Sequence, residues 1–312
     1  MRTQEPLVYL KGRLMPASEA HVAIYDTAVV MGVTVTDMLR TFHHKLFRLE
    51  DHIARFYRSC RYARIVPPIP PEETMRVCAE LAGKNAALLP ASSDLALVLF
   101  ISPGELKLYA GGAGMSGAMQ PTFCIHTFPL AFQLWQKNFT DGIHVVTPSV
   151  RHVPPQCVDP KIKCRSRMHW WLADQEAHLV DPKAVALCLD LDGNITETGG
   201  SNFAIVRDGA VITPSRRHVL WGISLTTVVD ICSKLQIPFV ERDIQVYDAI
   251  NADEAFLPTT PYCMAPVTKI NGVPIGAGRP GPVFRRIIEE WGRMVDLDIV
   301  AQIMQAPGQG ED

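Results

Sequence analysis

Residues 159–177 read DPKIKCRSRMHWWLADQEA, and one lysine within them organises everything around it. Lys163 follows the apolar Ile162 and sits among the cations Lys161, Arg165 and Arg167. A lysine amine is a nucleophile only when neutral, and near pH 7 that takes desolvation or nearby positive charge. This stretch offers both. Lys161 is a rival two residues earlier, and taken alone the segment reads more plainly as a solvated basic loop. Directly after it, residues 166–179 carry the periodicity of a helix, so the lysine precedes a helix start.

Working outward, 312 residues suffice for one large domain or two modest ones. Hydrophobic content of 47% and charged content of 20% predict a packed globular chain rather than a disordered one. A net charge of -2 provides no field to attract nucleic acid or an anionic membrane. Apolar runs such as residues 94–103 reach about half the ~20 residues a membrane-spanning helix needs. The opening MRTQEPLVYLKGRL has no basic-then-apolar signal pattern, and a soluble, cytoplasmic protein is expected. The eight cysteines form no CxxC pair and read as reduced, mostly buried thiols.

Upstream of the lysine, residues 8–13 read as a strand and turn, and EDHIARFYRSCRYA (50–63) spaces Ile53, Phe56, Tyr57 and Cys60 as a helix. A second helix is expected over 71–81, opening with proline and acids. Residues 95–101 and 122–127 read as buried strands, joined through AGGAGMSGAMQ (110–120), a glycine-rich connector without phosphate-loop spacing. Residues 128–142 read as the joint between halves. Beyond it, 184–213 has the punctuation of an antiparallel meander. AVALCLDL, NFAIV and AVIT are its strands, and Asp192–Gly193 and Asp208–Gly209 its turns. Leu225, Val228, Val229 and Cys232 make one stripe of a helix starting after Trp221. The tail after Gln305 is short, polar and glycine-rich. Hairpins among helices argue for α+β in two domains.

Four further segments carry chemistry. ITETGGSNF (195–203) sets Glu197 five residues before Asn202. LEDHIARFYRS (49–59) contains Arg55, whose planar guanidinium suits a phosphate, although a surface arginine is the plainer reading. Gly222–Ile223–Ser224 opens a helix, where backbone N–H groups favour an anion. LPTTPYCMAPVTKING (257–272) carries Thr259 and Thr260. Two coincidences are set aside, and no metal is expected. His43, His44 and His52 lack accompanying ligands at zinc spacing, and Asp190-x-Asp192-Gly193 lacks the later glutamate of a calcium loop.

Together with DTAVVMGVTVTDMLR (26–40), these segments resemble the class IV aminotransferase family in order and spacing. The resemblance spans residues 26 to 273 and includes a lysine ahead of an Ala-x-Gln-Glu-Ala helix, which favours Lys163 over Lys161. It implies a two-domain α+β fold of type IV, with pyridoxal 5'-phosphate in the interdomain cleft. The smaller N-terminal α/β domain is expected over 1–134, a linker over 135–141, and the larger domain with a β-barrel-like core over 142–312. Lys163 is then the Schiff-base lysine and general acid–base. Glu197 faces the pyridine nitrogen, with Asn202 nearby. Arg55, Gly222, Ile223, Ser224, Thr259 and Thr260 bind the phosphate. The resemblance also implies a homodimer that passes an amino group from an amino donor to a 2-oxo acid.

The substrate-facing positions depart from the family's pattern. Thr36 stands where an aromatic is usual, and Met38 where branched-chain members have glycine. Pro261 and Tyr262 replace two small residues whose N–H groups meet a substrate carboxylate, and proline has no N–H. VLFISPGELKLY (98–109) lacks both the Tyr-x-Arg and the Arg-x-His of known members, leaving Lys107, Arg40 or Arg165 as replacements. A branched-chain L-amino acid and a D-amino acid or (R)-amine therefore both stand as donors. The same cofactor motifs also fit an aminodeoxychorismate lyase, or a pyridoxal-phosphate-binding protein with little turnover.

Overall fold

The structure is a computed structural model and describes residues 5–109 and 119–307. The chain divides into two compact units. One comprises Met1–Leu130 with Ile162–Ser166, the other Ala131–Lys161 with Arg167–Asp312.

The first unit contains β1 (Leu7–Leu10), β2 (Arg13–Pro16), the short α1 (Thr27–Val30), β3 (Val35–Phe42), β4 (Lys45–Leu46), α2 (Leu49–Ala63), α3 (Pro71–Ala86), β5 (Leu95–Ser102) and β6 (Thr122–Pro129). Its six-stranded sheet runs β2-β1-β6-β5-β3-β4 with every pair antiparallel. Side chains alternate across a strand, so Val35, Asp37 and Leu39 share one face of β3. That face meets α2 and α3 in a core of Leu39, Ile53, Phe56, Leu81, Leu97, Leu99 and Phe123. Burying a side chain such as Ile53 or Phe56 contributes roughly 1.5–3 kcal/mol. Asp37 thus enters an apolar layer and needs partners there. Most of the glycine-rich connector, residues 110–118, lies outside the described residues, as do 308–312 of the tail.

The second unit begins with a 3-10 turn, Phe132–Trp135, and α4 (Gln136–Thr140), where the sequence predicted only a joint. Then come β7 (Ile143–Val146), α5 (Met168–Val180), β8 (Val185–Leu189), β9 (Ile195–Thr198), β10 (Ala204–Arg207), β11 (Ala210–Thr213), α6 (Ile223–Lys234) and β12 (Phe239–Glu241). The chain continues through α7 (Val246–Ile250), β13 (Glu254–Pro258), β14 (Met264–Ile270), β15 (Val273–Pro274), α8 (Pro282–Met294) and α9 (Ile299–Met304). The main path of this sheet is β12-β11-β10-β13-β14-β7-β8-β9. It is mixed: β11/β12, β14/β7 and β7/β8 are parallel.

The expected meander is corrected by this order. Both Asp-Gly turns are hairpins, but they close two separate pairs, β8/β9 and β10/β11. β9 and β10 follow each other in sequence yet lie five strand positions apart. A flat sheet would separate them by about 24 Å, whereas the six residue steps from Thr198 to Ala204 reach at most about 21 Å. The Asn202 amide nevertheless touches Glu197 at 3.2 Å, so the sheet curls its edges toward one another. Its interior holds Leu187, Ile195, Phe203, Ile205, Leu257 and Val267. All eight cysteines are free thiols, six of them buried. Among the described residues no helix is long and apolar enough to cross a membrane.

Candidate active site

The first unit fixes Lys163 by its backbone. Residues 163–165 run beside β3 in extended pairing. Thr36 N–H donates to the Lys163 carbonyl at 2.9 Å, and Arg165 N–H to the Thr34 carbonyl at 3.0 Å. Cys164 bridges Val35. Lys163 N–H donates to Ser59 Oγ on α2 at 3.3 Å, and Ile162 packs against the apolar core. The lysine is half-buried on a segment held by these hydrogen bonds. Lys161 is exposed and pairs with Asp159 at 3.2 Å.

Beside this segment stands a buried triad. Arg55 donates from Nε to Asp37 Oδ2 at 2.9 Å and from Nη2 to Oδ1 at 2.8 Å, and His52 Nδ1 meets Oδ1 at 2.7 Å. Burial alone would raise the Asp37 carboxyl. The Arg55 guanidinium, and then His52, overcome it and hold the group well below the usual carboxylate range. His52 is pushed down by burial against the pull of Asp37, with Arg55 and the Lys163 ammonium adding to the descent. His52 and Arg55 lie one helical turn apart on α2, and so address the same strand residue. Arg55, expected only as a phosphate donor, therefore already makes a bidentate ion pair.

In the second unit the β9 carboxylate Glu197 is buried and held from several sides. Oε1 accepts from Leu220 N–H at 2.9 Å and Oε2 from Asn202 Nδ2 at 3.2 Å, while His152 Nε2 approaches Oε1 at 3.5 Å. Asn202 is the hub. Its amide also donates to the Leu220 carbonyl at 2.7 Å, and its Oδ1 accepts from Gly222 N–H at 3.1 Å. A Cβ at Gly222 would collide with Asn202 Oδ1, so glycine is needed for this close approach. Gly222 caps α6 without a side-chain hydrogen bond, and Ile223 and Ser224 behind it are buried. The first-turn N–H groups thus lack intrahelical acceptors in a buried place, and a phosphate dianion is what such an end accepts. The donor set fits pyridoxal phosphate on this count.

The remaining candidates divide by what already engages them. Thr259 Oγ1 donates to the Gly200 carbonyl at 2.8 Å, while Thr260 is half-buried with no side-chain hydrogen bond among the described residues. Burial pushes the Tyr262 phenol up against a Ser201 hydrogen bond, and its ring lies 5.2 Å from Trp135. Pro261 adjoins it in the same turn. Thr36 Oγ1 donates to the Leu99 carbonyl, and Met38 is half-buried beside it on β3. Arg40 is 2% exposed, lies 3.6 Å from Asp94 and stacks on Phe42, a structural engagement. Lys107 is half-buried in the turn after Glu105. Arg165 lies over the Phe100 ring at 4.9 Å.

Sequence reasoning missed Asp37 as the partner of Arg55, and missed His152 altogether. The first had a signal, a carboxylate in phase with Val35 and Leu39 on a buried strand. The second had none, since a histidine opening a proline-rich loop has no periodicity to place it.

The sequence matches the family described as Amino-transferase class IV over residues 34–270. It is 28% identical over 282 residues to the D-alanine aminotransferase of Bacillus licheniformis, covering 90% of this chain and 94% of that one. The fold is that of the branched-chain amino acid aminotransferase of Escherichia coli, with a TM-score of 0.85 at 23% identity, covering 94% of this chain and 95% of that one. A further branched-chain amino acid aminotransferase (T.th.), solved with pyridoxamine 5'-phosphate, superposes with a TM-score of 0.82 at 24% identity over the same shares.

Proposed function

We propose, given that this chain belongs to the class IV aminotransferases and is a pyridoxal-phosphate-dependent transaminase, that Lys163 is its cofactor-bearing lysine. The observation that carries the assignment is the backbone clamp on residues 163–166 by β3, α2 and the Gly32 carbonyl. The N-terminus of α6 would take the phosphate through its N–H groups, aided by the Ser224 and Thr260 hydroxyls and by Arg55. Glu197 would accept a hydrogen bond from the ring nitrogen and so keep it protonated, with Asn202 and the Leu220 N–H holding the carboxylate. When bound, pyridoxal phosphate supplies an electron-withdrawing ring that stabilises the charge left on the substrate α-carbon. Lys163 Nζ would take the proton from that carbon and pass it to the cofactor's C4′, a role that needs a neutral amine.

The donor is an amino acid or a primary amine, the acceptor a 2-oxo acid, and the working unit a homodimer. Pro261 supports a donor not held by paired N–H groups at 261 and 262, because it has none to offer. The test is a visible spectrum of the purified protein with pyridoxal phosphate. It is repeated with D- and L-amino acids and (R)-1-phenylethylamine. We expect a yellow band that bleaches with one donor class and returns when a 2-oxo acid is added. Pyruvate and an aminobenzoate formed without any oxo acceptor would make it a lyase. A band untouched by every donor would make it a binder, and no band at all would remove Lys163 from the role.

A further inference from the structure

His152 opens the proline-rich loop after β7 and is 7% exposed. Its backbone N–H donates to the Leu189 carbonyl at 2.9 Å, which fixes the residue against β8. Ring nitrogen Nδ1 lies 3.0 Å from the Val153 carbonyl. A carbonyl only accepts, so Nδ1 must carry a hydrogen. The other nitrogen, Nε2, faces Glu197 Oε1 at 3.5 Å. In a neutral ring that nitrogen would present a lone pair to a carboxylate oxygen. Two acceptors would then oppose each other in a site from which water is largely excluded. A second proton turns the opposition into an ion pair.

The groups around the ring agree with this. Trp170 and His169 on α5 wall it at 5.2 Å and 5.8 Å between centroids. Burial, then His152, then Arg167 at the N-cap of α5, push His169 down to about 4, so it stays neutral. The Cys188 thiol on β8 is pushed up to about 12 by burial and is neutral too. Arg151 adjoins His152 in sequence, with its guanidinium turned to the Pro148 carbonyl. Glu197 is the one anion placed at ion-pair distance from the ring among the described residues.

We infer that His152 is a positioning residue that works as an imidazolium behind Glu197. It completes a clamp whose other members are the Leu220 N–H and the Asn202 amide. The inference rests on the reading that Glu197 serves the cofactor's ring nitrogen. The clamp stops the carboxylate from rotating and sets a positive charge behind it.

The experiment has two parts, and the first needs no cofactor. Long-range 1H–15N spectra of the cofactor-free protein at pH 7, with Glu197→Gln for comparison, report the state of each ring nitrogen of His152. Both should be protonated in the parent, and Nε2 should lose its proton when the carboxylate is removed. A bare Nε2 in the parent overturns the proposal. The second part compares His152→Gln with His152→Arg. Losing a charge-assisted contact should lower kcat by about ten- to a hundredfold, with donor KM changing far less, and the arginine should recover most of that loss. Equal losses in both variants, tracking a common fall in thermal midpoint, would make His152 merely structural and overturn the proposal. Failure of the underlying reading looks different. A doubly protonated His152 together with near-normal turnover in Glu197→Gln would overturn the catalytic part while the ion pair stood.

Discussion

Lys163 and Lys161 stand two residues apart in unlike surroundings. Lys161 is 58% exposed and pairs with Asp159 at 3.2 Å. Lys163 is half-buried, with its backbone N–H on Ser59 and its carbonyl on Thr36. Removing the Lys163 amine should abolish the visible cofactor band and nearly all turnover. Lys161→Ala should retain both within a few-fold, as expected of a surface substitution. Absorbance near the band maximum and single-turnover kinetics on the two variants check this. A yellow, active Lys163→Ala protein would transfer the role to Lys161. At this scale the sequence was most informative where a residue type is chemically demanding. A lysine among cations or a glutamate ahead of Gly-Gly can be read locally. Partners that arrive from distant strands, such as Asp37 for Arg55, leave only a break in an apolar alternation.

Among the elements, local signals held wherever one period or one turn decides the outcome. The α2 stripe of Ile53, Phe56 and Cys60 faces the core as its spacing predicts, and both Asp-Gly pairs form hairpin turns. Strand partnership is not local, which is why β9 and β10 separate. The same non-local logic governs α8. Gly281 caps it without a side-chain hydrogen bond, and the capping group comes instead from β13. Glu254 accepts from Val283 N–H and Phe284 N–H, both at 2.8 Å, and is 7% exposed. A buried carboxylate on a helix N-terminus satisfies two orphan donors and meets the favourable end of the dipole. Glu254→Ala should therefore cost about 1–3 kcal/mol, and Glu254→Gln less, since its amide oxygen still accepts. Urea unfolding of the three proteins measures this. A loss under ~0.5 kcal/mol in Glu254→Ala would mean that water replaces the cap.

At the scale of the whole molecule, the α+β class could be read from hairpins, helices and their order. The curl of the second sheet came only with the family resemblance, which implies a β-barrel-like core, because closure depends on which edges meet. The buried titrating groups, which matter for stability against pH, could not be read at all. His52 and His169 both hold values below that of a free histidine, through burial first and then through neighbouring charge. Asp37 is held low by Arg55 and His52 against its burial. In the unfolded chain the histidines bind protons below about pH 6.5 and the aspartate below about pH 3.9. Between those values and the folded ones, the unfolded state binds more protons than the native state. Stability therefore rises with pH through that window. The histidine contribution is complete above about pH 6.5 and is lost as the pH falls toward the His169 value of about 4. The Asp37 contribution disappears only at still lower pH. The thermal midpoint should then fall steadily from pH 6.5 to 4.5. His169→Phe removes a neutral imidazole whose Nε2 is buried without a hydrogen-bond partner, so it should lessen that fall without lowering the midpoint much at pH 7.5. Differential scanning calorimetry of both proteins across this range decides the matter. Parallel curves would mean that His169 takes up its proton as readily in the folded chain as in the unfolded one, and that the acid sensitivity arises elsewhere.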